Sequence, residues 1–195
     1  GSIDWTDSGG SIEGPTIGGL VGQTWGTGLL EIRDSYAQAR ISYDSGVMTD
    51  ALSAVHAGGI LGSDGYTKLE IDTPSVRSDL NADVRLIRTY AAGSFQNTCA
   101  TSCLLDQVFT GGLVGYSSTT DSNDVYVANF WLTGAGSQAI GDIDTGSQPA
   151  VYDGNSEPVA VPLSASRLEQ IASYTTEEDG STDLPGGTAM ASDAT

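Results

Sequence analysis

At 195 residues the chain is long enough for one domain with a real core, so folding requires no cross-link. Its formal charge of −18, from 25 acidic against 7 basic residues, argues against nucleic-acid binding, because phosphate contacts need the Lys and Arg it lacks, and an anionic membrane surface repels it. With 26 glycines and only 7% aromatic residues, turn-rich β structure is favoured over a helical bundle, and no apolar run approaches the ~18 residues of a membrane span.

Residues 1 to 15 hold Ile3, Trp5 and Ile12 among Gly, Ser and Asp, and read as an N-terminal cap or arm with Trp5 as its plug. No basic-plus-apolar signal segment survives at the N-terminus, and the expectation is a mature or excised soluble piece; Gly1-Ser2 fits a cloning scar or a processed end equally. From residue 16 the chain reads as strand, turn and strand: Ile17 to Val21, the loop Gln23 to Gly28, then Leu29 to Tyr43. In the last, Leu30 and Ile32, and past an Asp34-Ser35 bend Ala37, Ala39 and Ile41, alternate inward. Asp44-Ser45-Gly46 and Thr49-Asp50 are turn signals before a strand from Ala51 to Leu61. Ser63-Asp64-Gly65 turns again, Tyr66 to Asp72 alternates as a strand, and Thr73-Pro74 ends it. Val84 to Ala92 resumes the pattern, Gly93 to Ser102 reads as a loop, and Leu104 to Tyr116 as strand. After the polar turn Ser117 to Asp124, Val125, Val127, Phe130 and Trp131 close the β region. Gly134 to Pro162 reads as a long irregular connection with one short strand, Ala150 to Tyr152. Ser166-Arg167-Leu168-Glu169 fits a capping box, with Ser166 at the N-cap and Glu169 at N3, opening a helix whose Leu168, Ile171 and Tyr174 share a face. Residues 176 to 195 are a polar linker or tail.

One phrase recurs through this order. Gly18-Gly19-Leu20-Val21-Gly22, Gly58-Gly59-Ile60-Leu61-Gly62 and Gly111-Gly112-Leu113-Val114-Gly115 are separated by 40 and then 53 residues, a scale that signals a repeat architecture with insertions. Read as one strand, each copy sets Gly, aliphatic and Gly on a single face. A second phrase follows each copy: Asp34-Ser35-Tyr36-Ala37, Arg88-Thr89-Tyr90-Ala91 and, degenerate, Ala128-Asn129-Phe130-Trp131. The two phrases together resemble the GLUG repeat of large secreted bacterial surface proteins and of non-catalytic regions of some secreted proteases. The likeness covers about residues 16 to 175 and includes the aromatic-Trp pair, the Gly/Ser-rich stretch and the Ser-capped helix that close such arrays. It departs between Gly59 and Tyr90, 31 residues apart against 17 from Gly19 to Tyr36, so the second repeat carries an insertion.

Candidate sites are few. His56 is the only histidine, and with no serine in a nucleophile-elbow context it reads as a structural or surface histidine. Asp79 with Asp83, or Asp121 with Asp124, are carboxylate pairs of the kind β-helical polysaccharide enzymes use, and equally ordinary turn acids. Calcium is the candidate cofactor: Asp142 and Asp144 stand at alternate positions, and Asp153, Asn155 and Glu157 offer oxygen ligands at the same spacing, although neither stretch is a complete calcium loop. The alternative is a pair of Asp-Gly turns. Cys99 and Cys103, with too few other ligands for zinc, read as a local disulfide pinching a loop, with free thiols as the alternative. Trp25, in a polar loop, either stacks on a sugar or partner surface or folds back on the apolar seam, and Tyr43, Tyr66 and Tyr152 are weaker candidates of the same kind.

The expected architecture is all-β, a parallel β-helix or β-solenoid over residues 16 to 175 with a short C-terminal helical cap. The expected role is a non-catalytic extracellular structural or adhesion module of a bacterial surface protein, its partner a cell-surface protein or glycan. A self-assembling subunit of a filament or surface layer, whose partner is a copy of itself, and a polysaccharide-acting enzyme are the alternatives.

Overall fold

The computed structural model describes residues 1–5, 15–24, 26, 28–45, 54–65, 82–100, 108–118, 123–133, 136, 138–144, 146–155 and 158–167. These residues are mostly strand, and every strand-to-strand pair among them is parallel. The strands are β1 (Ser2–Trp5), β2 (Thr16–Gly18), β3 (Val21–Thr24), β4 (Gly28–Ala37), β5 (Arg40–Tyr43), β6 (Val55–Gly58), β7 (Leu61–Asp64), β8 (Ala82–Ala91), β9 (Ser94–Asn97), β10 (Val108–Gly111), β11 (Val114–Ser117), β12 (Val125–Val127), β13 (Asn129–Leu132), β14 (Ile140–Ile143) and β15 (Ala160–Leu163).

The chain visits the same sheets in the same order. Strands β2, β6 and β10 form one sheet; β3, β7, β11 and β14 a second; β1, β5 and β9 a third. In the fourth, β8 is paired by β4, β12 and β13, and β15 follows β13. One pass therefore runs β2–β3–β4–β5, the next β6–β7–β8–β9, a third β10–β11–β12–β13, and a fourth adds β14 and β15. Register aligns like with like: Gly18 lies beside Gly58 and Gly58 beside Gly111, Val21 beside Leu61, Val114 and Ile140, and Tyr36 beside Tyr90, Phe130 and Val161.

The recurring phrase is not a single strand. Bends at Gly19-Leu20, Gly59-Ile60 and Gly112-Leu113 split each copy between two sheets, which corrects the expectation of one Gly-aliphatic-Gly face. The bend brings backbone onto backbone. A Cβ on Gly58 would lie 2.5 Å from Gly115 N, one on Gly62 2.6 Å from Ile17 N, and one on Gly115 2.6 Å from Ala57 N, all inside van der Waals contact. The second phrase fits onto the same bend. A Cβ on Gly19 would come 2.7 Å from the Ala37 Cβ, Gly59 stands in the same relation to Ala91, and the Trp131 ring occupies the space over Gly112.

Aliphatic rows fill the space between the bends and the β8 sheet. Ile60, Leu61, Leu113, Val114, Ile140 and Leu86 are fully buried, joined by Val84, Ala91, Trp131 and Ala139. Ile17, Ile41, Tyr43, Val55 and Ala57 form a second cluster, to which Ala39 packs from the side.

At the start of each second phrase the chain turns through the left-handed region, at Asp34 (φ 49°), Arg88 (φ 53°) and Ala128 (φ 52°), costing roughly 1–2 kcal/mol for each residue with a Cβ. The residue after it, Ser35, Thr89 or Asn129, secures the kink. Asn129 is buried and uses its whole amide: Nδ2 donates to Leu86 O (2.8 Å) and Val159 O (3.2 Å), and Oδ1 accepts from Thr89 N (3.1 Å) and Thr89 Oγ1 (2.9 Å). One side chain thus ties three successive passes together.

Several expectations need correction. The strand read from Leu29 to Tyr43 is two strands, β4 and β5, and the stretch Gly93 to Ser102 contains β9. The segment Gly134 to Pro162 is not merely irregular, because it carries β14 and the start of β15. Phe130 and Trp131 therefore do not end the stack. The signal was faint since Gln138-Ala139-Ile140-Gly141 keeps only the end of the phrase. The strand expected at Ala150 to Tyr152 is a single antiparallel bridge from Tyr152 to Pro158. Helical geometry begins at Ala165, with Arg167 N bonding Ser164 O (3.1 Å), so Ser164 rather than Ser166 precedes the first turn. The strand expected at Tyr66 to Asp72, the helical face Leu168, Ile171 and Tyr174, the tail 176–195 and the Trp5 side chain lie outside the described residues.

Three substitutions test this packing. Gly111→Ala puts its Cβ against the Val114 carbonyl and 2.6 Å from Gly141 N, neither of which can yield, and is expected to cost about 3 kcal/mol or more in urea unfolding. Gly28→Ala, with nothing within 4 Å, is expected within about 0.5 kcal/mol of the parent. Asn129→Ala strands the buried groups of Thr89 and Leu86 and is expected to cost about 2–3 kcal/mol by the same measurement.

Candidate interaction face

The groups best placed to meet a partner stand on the outer side of β4 and β8. Because the β period is two, Glu31 and Arg33 share the face opposite the inward Leu30 and Ile32, and the kink at Asp34 then keeps both Asp34 and Tyr36 outside. Nine residue pairs hold β4 to β8, so these side chains are displayed from one of the longest ladders in the molecule.

Asp34 and Arg88 occupy equivalent kinks on neighbouring strands. The Arg88 guanidinium donates from Nε to Asp34 Oδ1 and from Nη2 to Asp34 Oδ2 (2.6 Å), a fork-to-fork pair. It holds the Asp34 carboxyl below the usual aspartate range, first through the hydrogen bond, against a small opposing effect of burial. Arg33 Nη2 lies 2.7 Å from Glu31 Oε1. That bond, with the nearby charges of Arg33 and Arg85, lowers the Glu31 carboxyl in the same way. Arg85 stands beside Glu31 in register, and its Nε, buried, makes no hydrogen bond. The Tyr36 ring stacks on Tyr90 at 5.4 Å between centroids and 12° between planes. Tyr36 is 60% exposed, whereas Tyr90 joins Phe130 and Val161 in an apolar cluster on the same row.

Three of the chain's 7 basic residues, Arg33, Arg85 and Arg88, thus sit on two adjacent strands of a protein with charge −18. Here the charges are locally balanced, and aromatic rings stand beside guanidinium groups. This arrangement can stack on a flat apolar surface and hydrogen-bond to carboxylate or hydroxyl groups at once.

The sites expected from sequence are distributed otherwise. Asp142, in β14, places Oδ2 3.8 Å from His56 Nε2, and the Asp144 backbone N–H donates to Ser117 O (3.0 Å). Asp153 Oδ1 accepts from Asn155 N (2.7 Å), an Asx turn. Among the described residues no three His, Cys, Asp or Glu side chains converge as metal ligands. His56 is buried, stacked on Phe109 (5.4 Å) and tilted against Tyr116 (4.8 Å). Asp124 serves structure, its Oδ1 accepting from Val84 N (2.9 Å). With Asp64 it adds to the effect of burial that pushes the Tyr126 phenol far up. Tyr43 is buried, and Tyr152 is exposed at its bridge to Pro158. Cys99 follows β9 and donates its N–H to Asn97 Oδ1 (3.0 Å). Cys103, Trp25, Tyr66, Asp79, Asp121 and Glu157 lie outside the described residues. Sequence reasoning missed the arginine face because its partners lie 54 residues apart, an offset that the insertion hides.

No family model, curated protein or solved structure matches this chain.

A double-mutant cycle on Asp34→Ala and Arg88→Ala tests the pair. With side chains 53% and 33% exposed, solvent screening keeps the expected coupling to about 0.5–1 kcal/mol at pH 7. A carboxyl lowered in the folded state stabilises above its unfolded value of about 3.9. The coupling should therefore shrink as pH falls below that value and through the lowered folded one, as read by urea unfolding at several pH values.

Proposed function

We propose that this chain is a non-catalytic structural and adhesion module of an extracellular bacterial surface protein, a parallel β-solenoid of the GLUG kind whose β4–β8 face engages a cell-surface protein or glycan. The observation that carries the reading is register. Gly beside Gly and aromatic beside aromatic persist through passes whose spacing changes from 40 to 53 residues. The insertions fall between paired strands, not within them, so one stiff frame tolerates loops of different length. Each pass is then held by its neighbours through backbone hydrogen bonds, which gives the stiffness that a spacer or display module needs.

Recognition belongs on the outer face because Tyr and Arg carry a large share of binding energy at protein interfaces. Here their positions are set by strands rather than by loops. Extracellular placement is supported by the acidic composition, with only 7 Lys and Arg, and by the close spacing of Cys99 and Cys103, which suits a disulfide in an oxidising compartment.

Arrays of glycans and surface proteins probed with the folded chain test the proposal. A ligand is expected, and Tyr36→Ala, truncating a ring that is mostly exposed, is expected to weaken it about tenfold or more with the fold intact. Capture that is unchanged by both Tyr36→Ala and Arg33→Ala would move recognition off this face.

A further inference from the structure

The two ends of the stack differ. At the fourth pass the outer edges of β14 and β15 are blocked, although β9 and β10 also end their sheets on that side. The Gln148 side chain takes the outward backbone of β14, its Oε1 accepting from Ile140 N (3.0 Å) and its Nε2 donating to Ile140 O, so an amide side chain stands where another strand would pair. The Val159 carbonyl accepts from Asn129 N of β13, and the Leu163 carbonyl from Thr133 N just after it. In an alternating strand this turns Pro162, which has no N–H, toward the outer edge of β15. Side-chain blockade and an edge proline are devices that stop strand addition.

At the first pass the corresponding features are absent among the described residues, and the core runs out into solvent. Strands β2, β3 and β4 each end their sheet. Leu20 is 46% exposed, although Ile60 and Leu113 at the equivalent bends are at 0%. Val21 and Ile32 are only partly buried, against full burial of Leu61 and Leu86 beside them, and Leu30 is partly buried beside Val84. Among the described residues only the sheet of β5 is extended here, by β1. The run from Gly14 to Leu30 carries no charged side chain, in a protein of net charge −18.

We infer that two copies of this chain associate through this end, laying the uncovered row of Leu20, Val21, Leu30 and Ile32 of each against that of the other. A second copy suits the surface because it offers the same neutral, apolar edge. The −18 charge opposes contact between copies over acidic surfaces and opposes it less over an uncharged one. Using one surface on both partners makes the contact two-fold and closed, and the blocked edges of β14 and β15 disfavour growth beyond the pair. The inference rests on the stacked-pass reading above, and not on the recognition role of β4 and β8.

Light scattering on the eluting protein over a range of concentration and salt decides it. The expected mass is twice the 20.0 kDa of one chain, with the dimer favoured by added salt, which screens the repulsion between acidic copies. Leu20→Lys, at an exposed position that tolerates the change, should give a monomer with an unchanged far-UV spectrum, and Leu20→Ile should keep the dimer. Gln148→Ala combined with Pro162→Val should extend the dimer into longer polymers. A 20.0 kDa species under every condition, a dimer that survives Leu20→Lys, or polymers of the unaltered chain would each overturn the inference. Ligand capture by the Leu20→Lys monomer reads the adhesion proposal separately, so either idea can fail while the other stands.

Discussion

The constraint on which the structure depends is the approach of backbone to backbone at the glycine bends. Gly18, Gly58 and Gly111 lie side by side, and a Cβ on any of them would fall at 2.5–2.6 Å from the amide nitrogen of the next pass. A methyl group there would hold two sheets apart. With the sheets apart, the aliphatic rows of Ile60, Leu61, Leu113 and Val114 would lose the close packing that buries them completely. The glycines supply no binding energy of their own. They remove an obstruction, and burial of the adjacent leucine, isoleucine and valine side chains stabilises the result.

The same bend explains why the chain repeats two phrases rather than one. Gly19 faces Ala37, Gly59 faces Ala91 and Gly112 faces Trp131, so the Gly-Gly and Tyr-Ala elements are the two halves of one contact. Where the ring of Trp131 replaces the methyl of alanine, it lies over a bare glycine and its Nε1 donates to Gly136 O (3.1 Å). The kink that opens the second phrase is a second shared feature. Asp34, Arg88 and Ala128 all adopt positive φ, although none is glycine. The repeated geometry is therefore imposed by the stack and by the polar residue that follows each kink, with Asn129 the most fully bonded of the three.

Function inherits this division. Inward positions are fixed by packing, and outward ones are free to vary, so the same register that stacks Gly on Gly also stacks Tyr36 on Tyr90 and sets Asp34 beside Arg88. A face assembled in this way is rigid at low entropic cost, because its side chains leave from paired backbone rather than from loops. The asymmetry of the ends follows from the same logic. A stack of this kind has two open edges by construction, and this chain spends Gln148 and Pro162 on one of them.

Repeat phrases, all-β character and the alternation of strands were legible in the amino-acid sequence, since Gly-Gly-aliphatic-Gly and Tyr-Ala are local patterns and the β period is local. His56 lies buried among packed side chains, stacked on Phe109 and tilted against Tyr116. Less was legible where meaning depends on what lies across a sheet. Gln138-Ala139-Ile140-Gly141 became a fourth pass only through its pairing with β11, which supplied the partners its weak pattern lacked. The split of each phrase into two strands, the spacing of 54 residues that brings Arg88 to Asp34, and the turning of Asp142 toward His56 are likewise tertiary. The sequence by itself determined which residues had to be small, apolar or kinked, because these requirements act over a few residues. Only the tertiary structure decided which pass lies beside which, because insertions between strands change the separation along the chain without changing the distance across the sheet.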